Sequence, residues 1–119
     1  GLEIIDNEKQ VYSAEYEYAG TIDAIARTRS GDLCVVDYKT GSVVGRESAL
    51  QLAAYAQAHN EMYGTAIREG VIAHLPRNPA RGFRSKWVGH MDSVFEGGFL
   101  PALRLWHFVD QNESKLWKE

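Results

Sequence analysis

Residues 20–41 read GTIDAIARTRSGDLCVVDYKTG, two short apolar runs joined by TRSGD, and the register of that hairpin decides what the chain can be. Thr21 to Arg27 and Leu33 to Lys39 are predicted strands, the second apolar on both faces up to Val36, as a central strand is. Side chains two apart share a face, so Asp37 and Lys39 stand on the side of Leu33 and Val35. A two-residue Ser30-Gly31 loop would pair Asp23 with Tyr38 and turn Asp23 away from Asp37. A three-residue Arg29-Ser30-Gly31 loop, a type I turn closed by a left-handed glycine, would pair Thr28 with Asp32 and set Asp23 opposite Asp37. Two carboxylates would then lie about 5 Å apart at their β-carbons with a lysine beside them. Such a pair calls for compensating charge, which a hard divalent cation with oxygen ligands supplies. The lysine is then placed to act on water or on charge developing at phosphorus. A surface Asp–Lys pair at strand ends, with Asp23 a polar residue near the turn, is the plain alternative.

Outward from the hairpin, Glu3 to Ile5 and Gln10 to Tyr18 are strand-like, the latter alternating in part as QVYSAEYEY. Ser48 to Tyr63 is rich in alanine and leucine and is followed by Gly64, which predicts a helix with a glycine stop. Gln51 and Tyr55, four apart, share one helix face. SALQ also fits a capping box, with Ser48 as cap and Gln51 reaching back, which would leave Tyr55 a packing residue. Gly70 to Leu75 and GFRSKWVGH suggest two more strands. A second helix is expected from about Asp92 to Asn112, with Leu100, Leu103, Trp106 and Phe108 available for packing and Pro101 disturbing its start. Strands, helix, strands, helix predicts an α/β (α+β) fold, and 119 residues predict one domain spanning 1–119.

Composition narrows the classes. With 45% hydrophobic and 24% charged residues the chain reads as globular, and no apolar run is long enough for a membrane span. The single Cys34 excludes an internal disulfide and an all-cysteine metal site, and its apolar flanks predict a buried thiol in a reducing cytoplasm. A net charge of −3 hides a local asymmetry. PRNPARGFRSKWVGHM, residues 76–91, carries Arg77, Arg81, Arg84 and Lys86 and no acid, with Phe83 and Trp87 interleaved. That stretch is either a phosphate-facing patch or a solvated loop and edge strand. His59, His74, His90 and His107 show no metal-ligand spacing.

GTID, VVDYKTG and QLAAY, in that order and at those gaps, resemble the three later motifs of the PD-(D/E)XK nuclease superfamily. The resemblance covers about residues 12–60 and is greatest to the RecB-like exonuclease branch, which includes the mitochondrial genome maintenance exonuclease and the CRISPR-associated adaptation nucleases. It implies a mixed central sheet flanked by helices, a restriction-endonuclease-like core, and Mg²⁺- or Mn²⁺-dependent hydrolysis of DNA phosphodiesters, exonucleolytic by analogy. On matching positions it makes Asp23 and Asp37 metal-binding acids, Lys39 the catalytic lysine and the Tyr38 carbonyl a further ligand. Gln51 and Tyr55 then frame the site and steady the substrate, and Arg77, Arg81, Arg84 and Lys86 are the candidate DNA contacts. The resemblance suggests helicase or recombination proteins as partners, and action in the cytoplasm, or in a host cytoplasm if phage-encoded. RecB-like members also carry an acid or histidine in a helix before the sheet. This chain opens at what reads as the first strand, so that helix is expected to be lacking. Glu3, Glu15 and Glu17 are available acids that nothing in their spacing assigns, and the iron–sulfur cysteines of the CRISPR-associated members are absent. The rival function is a catalytically silent nucleic-acid-binding or assembly module of the same fold. A phosphohydrolase of small nucleotides is a third, disfavoured by the basic stretch.

Overall fold

The turn after Arg27 sets the sheet. In the computed structural model, which describes residues 1–41, 45–78, 80, 82 and 84–118, Thr28 N–H donates to the Asp32 carbonyl at 2.8 Å and Gly31 N–H to the Thr28 carbonyl at 2.9 Å. Gly31 sits at φ 91°, which a β-carbon would disfavour. This is the three-residue loop. It joins β2 (Tyr18–Arg27) to β3 (Leu33–Thr40) with Arg27 opposite Leu33 and Ala24 opposite Val36.

Three further strands complete a mixed sheet in the order β1-β2-β3-β4-β5. β1 (Glu3–Ser13) is antiparallel to β2, β4 (Gly70–Leu75) is parallel to β3, and β5 (Arg84–Val88) is antiparallel to β4. The parallel step needs a crossover, which α1 (Glu47–Tyr63) provides. Gly64, at φ 65°, ends that helix with its N–H on the Asn60 carbonyl. The expected α+β architecture with flanking helices is therefore present.

Two expectations are corrected here. Gln10 to Tyr18 is not one strand, because residues 14–17 form a turn. Ser13 drives it by accepting from Tyr16 N–H through Oγ at 3.0 Å and from Glu17 N–H through its carbonyl at 2.8 Å, with Glu17 at φ 59°. The capping box is also absent: Ser48 lies buried inside α1, and the cap position is Arg46 with no side-chain bond.

The helix side of the sheet holds Val11, Ile22, Ile25, Val35 and Ile72 against Leu52, Ala53 and Ala56 of α1. Burying each large aliphatic there contributes roughly 1.5–3 kcal/mol. Past β5 the chain continues as α2 (Met91–Val94), a π-helical segment (Phe95–Phe99), α3 (Leu100–Gln111) and α4 (Glu113–Leu116). Gly98 in the π segment lies so close to Leu50 of α1 that a β-carbon would stand 2.5 Å from Leu50 Cδ2. Phe95 meets Tyr16 edge-on at 5.1 Å, and Phe99 meets Tyr18 at 4.9 Å. Pro101 falls in the first turn of α3, where no N–H partner is required. Leu100 is buried as expected, but Trp106 and Phe108 are exposed, because the aromatic fastening lies one to two turns earlier. The second face of the sheet carries Ala24, Ala26, Cys34, Val36, Val71 and Ala73. Above them is a groove of about 400 Å³ whose walls include Leu2, Ile4, Tyr38 and Trp87. Cys34 is fully buried, and burial pushes its thiol up to about 11. Among the described residues no helix is long and apolar enough to cross a membrane.

Candidate active site

One step beyond the Ala24–Val36 pair, the hairpin register puts Asp23 opposite Asp37. The backbone ladder ends there. Tyr38 N–H donates instead to Asp23 Oδ2 at 2.8 Å, a side-chain carboxylate standing where a strand would offer a carbonyl. In an extended strand a residue's C=O leaves on the same side as its N–H, so the Tyr38 carbonyl also faces β2. β2 departs from simple alternation at this point, since Ile22 and Ile25 both lie in the helix-side core while Ala24 faces the other way. Across from Asp23, Glu8 of β1 sits at φ 49°, in the left-handed region. Asn7, Glu8, Asp23 and Tyr38 line an open recess of about 390 Å³.

Asp37 is 5% exposed. Its Oδ2 lies 3.0 Å from Lys39 Nζ, an ion pair, but the two are not aligned as donor and acceptor, so this buried oxygen has no hydrogen bond. Burial raises the carboxyl above the ordinary aspartate range; Lys39 opposes that shift and Asp23 reinforces it. Lys39 Nζ also donates to Gln51 Oε1 at 3.4 Å, and Gln51 Nε2 donates to the Tyr55 hydroxyl at 2.8 Å. Burial raises the Tyr55 phenol as well, and the Asp37 charge adds to it. The helix thus reaches the sheet through a continuous polar chain: Asp37, Lys39, Gln51, Tyr55.

Asp23, Asp37, Lys39, the Tyr38 backbone, Gln51 and Tyr55 therefore meet in space. The basic stretch divides. Arg77 is exposed after β4, Arg84 and Lys86 are exposed on β5, and Arg81 lies outside the described residues, as does Phe83. Trp87 projects to the groove on the second face, so it does not interleave with the arginines over the acid pair. The histidines behave as packing or linking groups where a partner is visible. His59 Nδ1 is 2.8 Å from Thr65 Oγ1, and His74 Nε2 donates to the Gly41 carbonyl at 2.6 Å. Three residues near the site carry no assignment from sequence. Glu8 gave no signal, being one glutamate in a polar strand. His74 is tied by a contact 33 positions away. Gly20 is needed because a β-carbon there would stand 2.5 Å from Tyr55 Cε1.

The donor set suits a hard divalent cation. It offers two carboxylates, one with a buried oxygen lacking a hydrogen bond, and a carbonyl on the same edge. Among the described residues no third histidine, cysteine or acid joins them. Mg²⁺ is commonly held by one or two carboxylates with waters and substrate phosphates completing its shell.

Comparison with known proteins follows the geometry. The profile of the PD-(D/E)XK nuclease superfamily matches residues 3–89. No curated protein matches significantly. The crystal structure of SSO0001 is similar at 12% identity with a TM-score of 0.46, over 89% of this chain and 48% of that one. The chain thus spans about half the length of that protein.

Proposed function

The chain belongs to the PD-(D/E)XK nuclease superfamily, and from that membership we propose that it is a metal-dependent deoxyribonuclease, an exonuclease of RecB-like type, in which residues 1–119 act as one nuclease domain. The observation that carries the proposal is Asp37, buried between a second carboxylate and the Lys39 ammonium with an oxygen that has no hydrogen bond. A charge held that way raises the carboxyl's pKa and costs folding free energy, which a silent module has no reason to retain.

Asp23, Asp37 and the Tyr38 carbonyl would hold Mg²⁺ or Mn²⁺. When bound, the ion supplies Lewis acidity and charge neutralisation at the scissile phosphate. Asp23 is oriented for this by the Tyr38 N–H, which occupies Oδ2 and leaves Oδ1. Lys39, positioned by Asp37 on one side and Gln51 on the other, orients the attacking water and stabilises charge that builds on phosphorus in the transition state. Tyr55 fixes Gln51 and stays a phenol, able to donate to a phosphate oxygen. Arg77, Arg81, Arg84 and Lys86 are the proposed DNA contacts, helicase or recombination proteins the proposed partners, and a reducing cytoplasm the proposed location.

End-labelled single- and double-stranded DNA incubated with the protein, with and without Mg²⁺ or Mn²⁺, tests this directly. Metal-dependent shortening from an end, lost in Asp37→Ala, is the expected result. Absence of metal-dependent cleavage by the wild type would refute it.

A further inference from the structure

The helix-side face of β3, β4 and β5 is ordered in register rows. Val35, Gly70 and Val88 form the first row, Asp37, Ile72 and Lys86 the second, and Lys39, His74 and Arg84 the third. Val35 and Ile72 lie in the helix-side core and Val88 packs against it, whereas Ser85 and Trp87 line the groove on the opposite face. That alternation puts Arg84 and Lys86 on the side of the acid pair. Both are exposed, and among the described residues neither has a carboxylate within ion-pair distance. His74 spends its Nε2–H on the Gly41 carbonyl, which ties the exit of β3 to β4 and keeps Lys39 in its row.

We propose, resting on the nuclease assignment, that Lys39, Arg84 and Lys86 form a phosphate track carrying a single DNA strand crosswise over β3, β4 and β5, away from the acid pair, with His74 as its positioning residue. Neighbouring strands are about 4.8 Å apart, so Lys39 to Arg84 covers roughly 10 Å. Phosphates succeed one another at about 3.4 Å along a duplex axis and farther apart in an extended strand, so the track holds roughly two or three. The substrate is consequently a polymer whose smallest well-bound unit is a short oligonucleotide, not a mononucleotide. Trp87 points to the other face, so binding along the track is ionic rather than by base stacking, tolerant of sequence and sensitive to salt.

Fluorescence anisotropy of labelled oligothymidylates of one to eight nucleotides, in EDTA so that nothing is cut, tests the track. Wild-type affinity should climb with length to about four nucleotides, and its logarithm should fall linearly with that of salt concentration. Arg84→Gln/Lys86→Gln should flatten that slope by about 1.4, at ~0.7 per lost phosphate contact on a single strand, whereas the charge-conserving Arg84→Lys/Lys86→Arg should keep it. His74→Ala should flatten it by about one contact more, and His74→Gln, which restores an N–H toward Gly41, should recover it. A wild-type slope in Arg84→Gln/Lys86→Gln overturns the track, and if that protein still cuts end-labelled DNA with Mn²⁺ the nuclease assignment stands without it. An unchanged slope in His74→Ala removes His74 from the proposal. A wild type that neither binds nor cuts overturns both.

Discussion

Gly20→Ala should disable the site from outside it. The added methyl would lie 2.5 Å from Tyr55 Cε1, 3.3 Å from Cδ1 and 3.4 Å from Cζ. Carbon contacts are comfortable from about 3.5 Å, so the ring must retreat by about 1 Å. It has little freedom to do so, because Leu52, Ala53 and Ala56 on the same helix are locked in the core. Overpacking of this kind costs about 1–3 kcal/mol. The phenol moves with its ring, the 2.8 Å bond from Gln51 lengthens, and Lys39 loses the support that Gln51 gives it. A misplacement of about 1 Å at a reacting centre costs on the order of 10²-fold in rate. Urea unfolding followed by far-ultraviolet circular dichroism and initial rates on end-labelled DNA separate the two effects. Tyr55→Phe, which keeps the ring and loses only the hydroxyl, should lose rate with no more than about 1.5 kcal/mol of stability. Gly20→Ala/Tyr55→Ala should show positive coupling in stability, since the second change removes what the first collides with, and should recover no rate. A Gly20→Ala protein that unfolds and cleaves like the wild type would refute the contact-mediated account.

Lys39→Ala should cut cleavage by about 10²-fold or more while leaving most DNA affinity intact, measured as single-turnover rate against anisotropy. Asp37→Ala should abolish Mn²⁺ binding by titration calorimetry, and equal heats from both proteins would move the metal elsewhere. His59 supplies a pH test away from the site: burial lowers its pKa from the ordinary 6.5, so the unfolded chain takes up a proton that the folded one resists. Stability should therefore be lost as pH falls through that value, and the loss should shrink in His59→Phe, read as the urea midpoint at about pH 7 and about pH 5. Gly70→Ala, whose methyl would stand 2.8 Å from Val35 Cγ2 and 2.9 Å from Met91 Cε, should cost about 1–3 kcal/mol, read as a lower urea midpoint.

Turn chemistry made the hairpin legible. Only one of the two possible loops puts glycine at the left-handed position, and that choice alone brings Asp23 opposite Asp37. The helix and its glycine stop were readable for similar local reasons, as was the shared face of Gln51 and Tyr55. What escaped depended on contacts made at a distance or on signals the chain does not carry. The turn at residues 14–17 has no glycine, proline or asparagine, so the alternation of QVYSAEYEY runs through it unbroken. Ser48 and Gln51 match a capping box in letters, but packing draws the start of α1 back to Glu47 and commits Gln51 to Lys39 and Tyr55. Trp106 and Phe108 are as apolar as Phe95 and Phe99, and only the tertiary structure says which pair meets Tyr16 and Tyr18. The turnover of β2 between Ile22 and Ile25 has no mark in the sequence at all.

The placement of the three tryptophans bears on how this protein can be watched. Trp87, Trp106 and Trp117 are 48%, 59% and 71% exposed, and no indole lies in the core. Their emission already comes from a wet environment in the native state, so denaturant should produce little red shift and a fluorescence melt will understate cooperativity. The same indoles are accessible to acrylamide, and only Trp87 belongs to the sheet, on the strand whose opposite face carries Arg84 and Lys86. A chain with Trp106 and Trp117 replaced by phenylalanine would have a single emitter reporting on that edge strand alone.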